Sequence, residues 1–413
     1  MTTMDESPRM LVTHPGRQHA HQLARALHAR GGLAGFWTGV PSAPLSSRGP
    51  LFRFLARWSP QPVLDLPADA VRHCYVEPVV RRLARTLCSP PQAAVWQHRA
   101  MHWFDRWCAR RLPPDLDAVV CYENAALHTF RRARARGVTT VLDAASFHHT
   151  RQDTFYEPVE PEAAHARINA HKDEEIALAD HVLTVSELAR ESYVDAGVPP
   201  SNVTAVPMGA DLSAFRPPDG PREPEPPVTF MFAGHVGRRK GADLLLAASR
   251  RLYEDGIEHR VQFAGDAEAT MFDDAPPTVA PLGYLSRDAL AEAYRRADVL
   301  VLPSRHDSFG RVVVEAMATG LPALVSENVG AKAAVTENEN GWGVPAEDVG
   351  ALAERMEWCV RHPTAVSDMQ DAAVTAAQDY TWAAYRRRVA EVLGAVLESA
   401  PVEDRAQPQP SAP

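Results

Sequence analysis

The sequence predicts an α/β protein of two lobes, each a parallel sheet covered by helices, and three observations carry that reading. Short apolar runs rich in β-branched residues alternate with helical stretches along most of the chain. The alternation stops at a proline-rich segment and restarts beyond it. Several of the strands run straight into turns that carry glycine or charge. Strands that alternate with helices in this way pair in parallel and are covered on both faces.

In order, Met10–Thr13 reads as the first strand, followed by the turn His14-Pro15-Gly16-Arg17-Gln18 and a helix from about His19 to Arg30 with Leu23, Ala26 and Leu27 on one face. Gly16 lets a phosphate approach the backbone, although the Gly-x-Gly-x-x-Gly spacing of a dinucleotide turn is missing. His14, His19 and His21 form no chelate, because helix neighbours two apart point to different sides. From Leu51 to Arg111 the chain is helical in pattern and Arg-rich, with Trp58, Trp96, Trp103 and Trp107. Such helices either pack with their arginines in water or rest peripherally on an anionic membrane.

Strands then follow at Ala118–Tyr122, Thr139–Asp143, His181–Val185 and Val203–Val206, separated by helices at about Ala125–Arg136, Arg167–Ala179 and a Ser186-capped stretch to Ala196. Residues 216–227, Arg216 to Pro227, hold too many prolines for helix or strand and form the linker. The pattern restarts with Val228–Ala233 and continues through strands at Val261–Asp266, Val299–Leu302 and Ala323–Val325 to a last helix, Trp382–Leu397. The expected division is a first lobe over 1–215, the linker over 216–227, a second lobe over 228–381, a C-terminal helix over 382–399, and a disordered proline-rich tail over 400–413.

Composition narrows the function classes. With 413 residues, 45% hydrophobic and 23% charged, the chain is long enough for two or three cores. It has no run of about 18 apolar residues, and its first residues lack the basic-then-apolar form of a leader, so a cytoplasmic protein is expected. The five cysteines are scattered without a Cys-x-x-Cys pair, which predicts free thiols and no zinc site. A net charge of −9 without a basic stripe argues against a nucleic-acid partner.

Two turns of the second lobe carry chemistry. The strand ending at Leu302 leads into Pro303-Ser304-Arg305-His306-Asp307-Ser308-Phe309-Gly310 and then a helix containing Glu315. Asp307 and Glu315 can therefore flank one pocket at the carboxyl end of a strand, where two carboxylates suit the binding of hydroxyl groups. Arg238-Arg239-Lys240-Gly241, after the strand ending at Ala233, joins cations to a helix start and suits phosphate.

Phe232-Ala233-Gly234 through Arg239-Lys240-Gly241, Pro281-Leu282-Gly283-Tyr284-Leu285 and Asp298 to Ser304, together with the carboxylate stretch, resemble the retaining family 4 glycosyltransferases of GT-B fold, most closely over about residues 180–398. The resemblance implies two Rossmann-like lobes facing a central cleft, a last helix that crosses back to the N-terminal lobe, an acceptor site on the first lobe and a nucleotide-sugar site on the second. Glu315 would hold the ribose hydroxyls. Asp307, with the amides near Phe309 and Gly310, would hold the sugar; Lys240, assisted by Arg239 or Arg238, the diphosphate; and Gly283-Tyr284-Leu285 would border the base. Asp307 stands where the family has Glu, and His235 where it usually has Arg. Gly16 would approach the donor from the first lobe, and His148 is the candidate for the histidine that members often place near the anomeric carbon.

The implied reaction is a retaining transfer from a nucleoside-diphosphate sugar, itself the substrate, to a hydroxyl acceptor: a glycan, a lipid or a small natural product. No cofactor and no metal are required. Two alternatives stay open at this point: a nucleotide-sugar epimerase of similar fold, and a non-catalytic subunit that binds sugar nucleotide.

Overall fold

A computed structural model describes residues 7–16, 19–40, 65–155, 157–218, 220 and 226–399. The chain divides into two compact units: one of residues 1–184, 193–204 and 386–413, the other of residues 185–192 and 205–385.

The first unit is built on seven strands: β1 (Met10–His14), β2 (Leu33–Thr38), β3 (Val71–His73), β4 (Ala118–Tyr122), β5 (Thr139–Ala144), β6 (His181–Thr184) and β7 (Val203–Ala205). Their order in the sheet is β3-β2-β1-β4-β5-β6-β7. Every pair from β3 to β6 is parallel. Leu11, Val119, Val120, Val141 and Leu142 are fully buried, as the run of β-branched and leucine residues requires of strands covered on both faces.

The helices of this unit are α1 (Ala20–Ala29), α2 (Val76–Leu87), α3 (Pro90–Arg111), α4 (Leu127–Arg134), the short α5 (His149–Gln152) and α6 (Glu162–Leu178). A capping box of Ser89 and Gln92 starts α3. Of the expected Leu51–Arg111 stretch, residues up to 64 lie outside the described residues, β3 interrupts the remainder, and α2 and α3 supply the helices. The tryptophans divide. Trp107 packs edge-on against Trp37 at 5.4 Å between centroids, whereas Trp96 and Trp103 stay more than a third exposed. The helix α7 (Glu187–Asp195) starts in the second unit and ends in the first.

The second unit holds β8 (Thr229–Ala233), β9 (Arg260–Ala264), β10 (Val279–Gly283), β11 (Val299–Leu302), β12 (Ala323–Ser326) and β13 (Gly341–Val344), all parallel in the order β10-β9-β8-β11-β12-β13. Its helices are α8 (Ala242–Glu254), α9 (Arg287–Arg296), α10 (Arg311–Met317), α11 (Val349–Arg361), α12 (Pro363–Ser367) and α13 (Gln370–Ala377). The last helix, α14 (Trp382–Ser399), begins here and from Arg386 belongs to the first unit. Arg386 donates to Gln22 Oε1 on α1 at 2.6 Å, so the C-terminal helix does return to the N-terminal lobe. The expected tail, 400–413, lies outside the described residues.

Each sheet has one topological switch point, between β1 and β4 in the first unit and between β8 and β11 in the second. In open α/β sheets the crevice outside the carboxyl ends of such a strand pair is where ligands dock.

Candidate functional site

At the switch point of the second unit, the chain leaving β8 and the chain leaving β11 meet. After β8, Gly234 takes a φ of 124°, and Arg238–Lys240 form a single 3₁₀ turn. Gly241, at φ 74°, then admits the chain to α8. The basic triplet thus precedes the helix instead of opening it. Only glycine fits at 241: a Cβ there would lie 2.0 Å from the Pro303 carbonyl oxygen, and the backbone is left-handed.

Backbone bonds hold the two loops together. Arg305 N–H donates to the Arg239 carbonyl at 3.1 Å. The Arg305 guanidinium grips Asp243 with two bonds of 2.7 and 2.9 Å, reaches Glu347 at 2.6 Å and donates to the Arg238 carbonyl at 2.5 Å. This clamp, part-buried at Arg305 and Asp243, fixes the basic turn. By sequence alone Arg305 carries no expected role, since an arginine in a loop after a strand reads as solvated.

The clamp sets Lys240 beside Asp307, and their side chains form an ion pair with only 13% and 12% of each exposed. Burial lowers the Lys240 pKa, opposed by the charge of Asp307. Arg239 donates to the His306 carbonyl at 3.4 Å, while Arg238 points into solvent.

The carboxylate turn is held by its neighbours through the main chain. Asp307 N–H donates to the Asn328 carbonyl and Gly330 N–H to the Asp307 carbonyl. Ser186 Oγ donates to the Ser308 carbonyl at 2.7 Å. A Cβ on Gly330 would lie 2.1 Å from that same carbonyl oxygen, which gives this glycine a steric role the sequence left undefined. Gly310, at φ 86°, turns the chain into α10. Among the described residues the N–H groups of Ser308, Phe309 and Gly310 donate to nothing, so the turn offers a row of donors for a bound oxygen. The helix that follows has seven residues, and the donors therefore come from the loop more than from a long helix dipole.

The remaining expected residues fall as follows. Phe309 is buried by its side chain, 6.0 Å from the Tyr380 ring, so only its backbone can meet a ligand. Glu315, on α10, receives no hydrogen bond among the described residues. Burial raises its pKa, with the charges of Arg311 and Arg287 opposing. Arg287 is itself bonded to Asp211 at 2.6 Å. His235 is half-exposed, 3.6 Å from Glu268. Tyr284 follows β10 with 79% of its surface exposed, which removes it from the core and leaves it available to stack.

Gly16 and His148 belong to the first unit. The Gly16 N–H donates to His14 Nδ1 at 2.8 Å, and the His14 ring lies 4.1 Å from that of Tyr122, so these residues share the carboxyl ends of β1 and β4. His148 is the N-cap of α5 and accepts from Thr150 N–H. Burial lowers its pKa to about 4, so the imidazole is neutral at pH 7. Two acids that sequence inspection passed over organise this unit: Asp105 accepts from the N–H groups of His128 and Thr129, and Glu175 from those of Asn124, Ala126 and Leu127. A hollow of about 760 Å³ lined by Asp180, His181, Thr204 and Val392 opens at the amino ends of β5–β7, the wrong edge of the sheet for ligand chemistry of this kind.

Residues 218–378 match the family model described as glycosyl transferases group 1. Over its matched stretch the chain is 30% identical to a D-inositol 3-phosphate glycosyltransferase of Kribbella flavida, covering 51% of this chain and 55% of that protein. It is 28% identical to a GDP-mannose-dependent alpha-(1-6)-phosphatidylinositol dimannoside mannosyltransferase of Mycobacterium tuberculosis, covering 68% and 75%. The sucrose-phosphate synthase structure from Thermosynechococcus elongatus superposes with a TM-score of 0.69 at 18% identity, over 95% of this chain and all of that one. The Anabaena HepE structure in complex with UDP gives 0.60 at 14%, over 94% and 100%.

The chain has the GT-B fold, with a group 1 glycosyltransferase match in its second unit.

The chain spans little more than half the length of two of the inositol-phosphate glycosyltransferases it matches, 55% in Kribbella and 58% in one from Catenulispora acidiphila. The family match covers both loops of the switch point, from Arg238 to Glu315.

Proposed function

We propose that the protein is a retaining, metal-independent glycosyltransferase that moves a sugar from a nucleoside-diphosphate sugar to a hydroxyl acceptor. The observation that carries this reading is the buried Lys240–Asp307 pair at the β8/β11 switch point, beside unpartnered loop N–H groups and followed by the Glu315 carboxyl.

In this reading Lys240, with Arg239, takes the donor diphosphate, Glu315 accepts hydrogen bonds from the ribose hydroxyls, and Asp307 with the N–H groups of Phe309 and Gly310 holds the sugar. Tyr284 and Gly283 border the base, and His235 lies beside the phosphate turn. The bond from the anomeric carbon to the diphosphate oxygen breaks while one to the acceptor oxygen forms on the same face. The acceptor proton passes to the departing phosphate oxygen. Lys240 and the loop N–H groups stabilise the charge that develops there, which preorganised donors do best.

Acceptor and location rest on the first unit. Val79, Leu83 and Leu87 are exposed along α2, at helical spacing beside exposed Arg82 and Arg85, and this face supports peripheral contact with an anionic membrane. A lipid-borne polyol fits such a face and the phosphatidylinositol dimannoside in the name of one relative. Among the described residues no helix is long and apolar enough to cross a membrane. The free cysteines fit a reducing, cytoplasmic setting.

Incubation with a panel of nucleoside-diphosphate sugars, with and without polyol and lipid acceptors, tests the reading. Acceptor-dependent release of nucleoside diphosphate, with the anomeric configuration kept, is expected. An epimerised sugar nucleotide formed without acceptor, or binding with no turnover on any acceptor, would replace it with one of the two alternatives.

A further inference from the structure

A second cluster of ligating side chains lies in the first unit. His148 caps α5 and His149 begins it, so the two imidazoles are adjacent in sequence, with ring centroids 4.3 Å apart. Asp173 approaches them from α6. His149 Nε2 is 2.6 Å from Asp173 Oδ1, His148 Nε2 is 3.9 Å from the same oxygen, and the ligand atoms of the three residues all lie within 4.8 Å of one another.

We propose that His148, His149 and Asp173 bind a divalent first-row transition ion, with none of the second-unit residues assigned to the donor taking part. At a tetrahedral centre with bonds of about 2.0–2.2 Å, ligand atoms sit about 3.3 Å apart. The observed 2.6 and 3.9 Å straddle that separation. The adjustment needed falls on Asp173, whose side chain is 58% exposed and free to move, while the histidines, 6% and 9% exposed, are held by their surroundings.

The outer contacts of His148 rearrange on ligation. His148 Nδ1 accepts from Thr150 N–H at 3.3 Å and lies 2.8 Å from Thr150 Oγ1, so ligation through Nε2 moves the ring proton to Nδ1 and exchanges that cap bond for one donated to the hydroxyl. Two imidazoles and one carboxylate select ions such as zinc, cobalt or nickel over magnesium and calcium, which want oxygen ligands. Three protein ligands leave a position for water. Ligation of His149 through Nε2 breaks its hydrogen bond to Asp173 and shifts its one ring proton to Nδ1, so a neutral imidazole binds the ion without net proton release. The consequence is a tie between the loop after β5 and α6.

The test uses the full chain without an added histidine tag, stripped with EDTA. Zinc is titrated by calorimetry, and cobalt by visible absorption. One ion per chain, four-coordinate cobalt bands and a raised Tm are expected. Asp173→Asn and His149→Ala are each expected to weaken zinc binding by about 100-fold or more, since even outer-shell changes cost about 10–100-fold. His102→Ala, in the neighbouring His102–His171 ring contact, is expected to leave it unchanged. Asp173→Asn alters an exposed side chain and keeps the test valid should His149→Ala fold poorly. No stoichiometric zinc binding, binding that survives Asp173→Asn, or magnesium bound as tightly as zinc would overturn the proposal and leave an ordinary histidine–carboxylate hydrogen bond.

Discussion

Lys240→Met, Asp307→Asn and the double variant together probe the centre of the second unit. Both side chains are nearly nine-tenths buried, where two unit charges at contact attract by about 4 kcal/mol at an effective dielectric of about 20, much of it offset by desolvation. Removing one partner strands the other, which costs about 3–5 kcal/mol for a buried pair. The residual exposure points to the low end, about 3 kcal/mol for each single change. The double variant strands no charge and should lose less than the sum, with a coupling of at least about 1.5 kcal/mol. Urea denaturation of the four proteins gives this cycle. A coupling below about 0.5 kcal/mol, the level of additive sites, would refute the buried-pair reasoning and class the contact with surface ion pairs. Nucleotide binding supplies an independent and opposite-signed check. Lys240→Met should weaken nucleoside-diphosphate binding by about 10–150-fold, the equivalent of a charged hydrogen bond of about 1.5–3 kcal/mol. Asp307→Asn removes a carboxylate that competes with phosphate for Lys240, and should leave diphosphate affinity equal or higher while sugar transfer falls. Equal losses in both variants would mean that only folding had been damaged.

Glu315→Gln should weaken donor binding with the fold intact. Because burial raises the Glu315 pKa, wild-type affinity should fall as pH drops toward the acidic range, and the variant should lose that dependence in titrations across pH. Gly241→Ala should destabilise the second unit by more than about 1–2 kcal/mol, the left-handed penalty alone, since the Pro303 carbonyl blocks its Cβ; an unchanged urea midpoint would contradict this. Burial raises Glu175 to about 8 against an ordinary 4.5 even though three N–H groups donate to it. The folded state then holds a proton that the unfolded chain releases, so stability should decline as pH rises from about 4.5 through about 8. Glu175→Gln should flatten that decline in denaturation midpoints; an equally steep slope in the variant would remove Glu175 as its source.

Much of the fold was legible because buried parallel strands announce themselves. Val299–Leu302 and Val119–Val120 are runs whose burial on both faces leaves no polar alternation to confuse with a helix. β3 escaped notice since Val71–His73 has three residues and only one buried apolar side chain. The acids Asp105 and Glu175 were also hidden: each caps backbone N–H groups 23–51 residues away, and on its own helix each looks like one more charged position.

For the candidate site, the sequence by itself determined the residue types and their local setting: a basic turn after one strand, a carboxylate turn after another, and glycines where the chain must reverse. Tertiary structure alone decided that Lys240 and Asp307, 67 residues apart, touch. That contact exists because β11 inserts beside β8 while β9 and β10 lie on its other side, and because Arg305 then locks the two loops together. Strand order is a property of the whole sheet, set by which surfaces can be buried at once, and no single strand's pattern contains it.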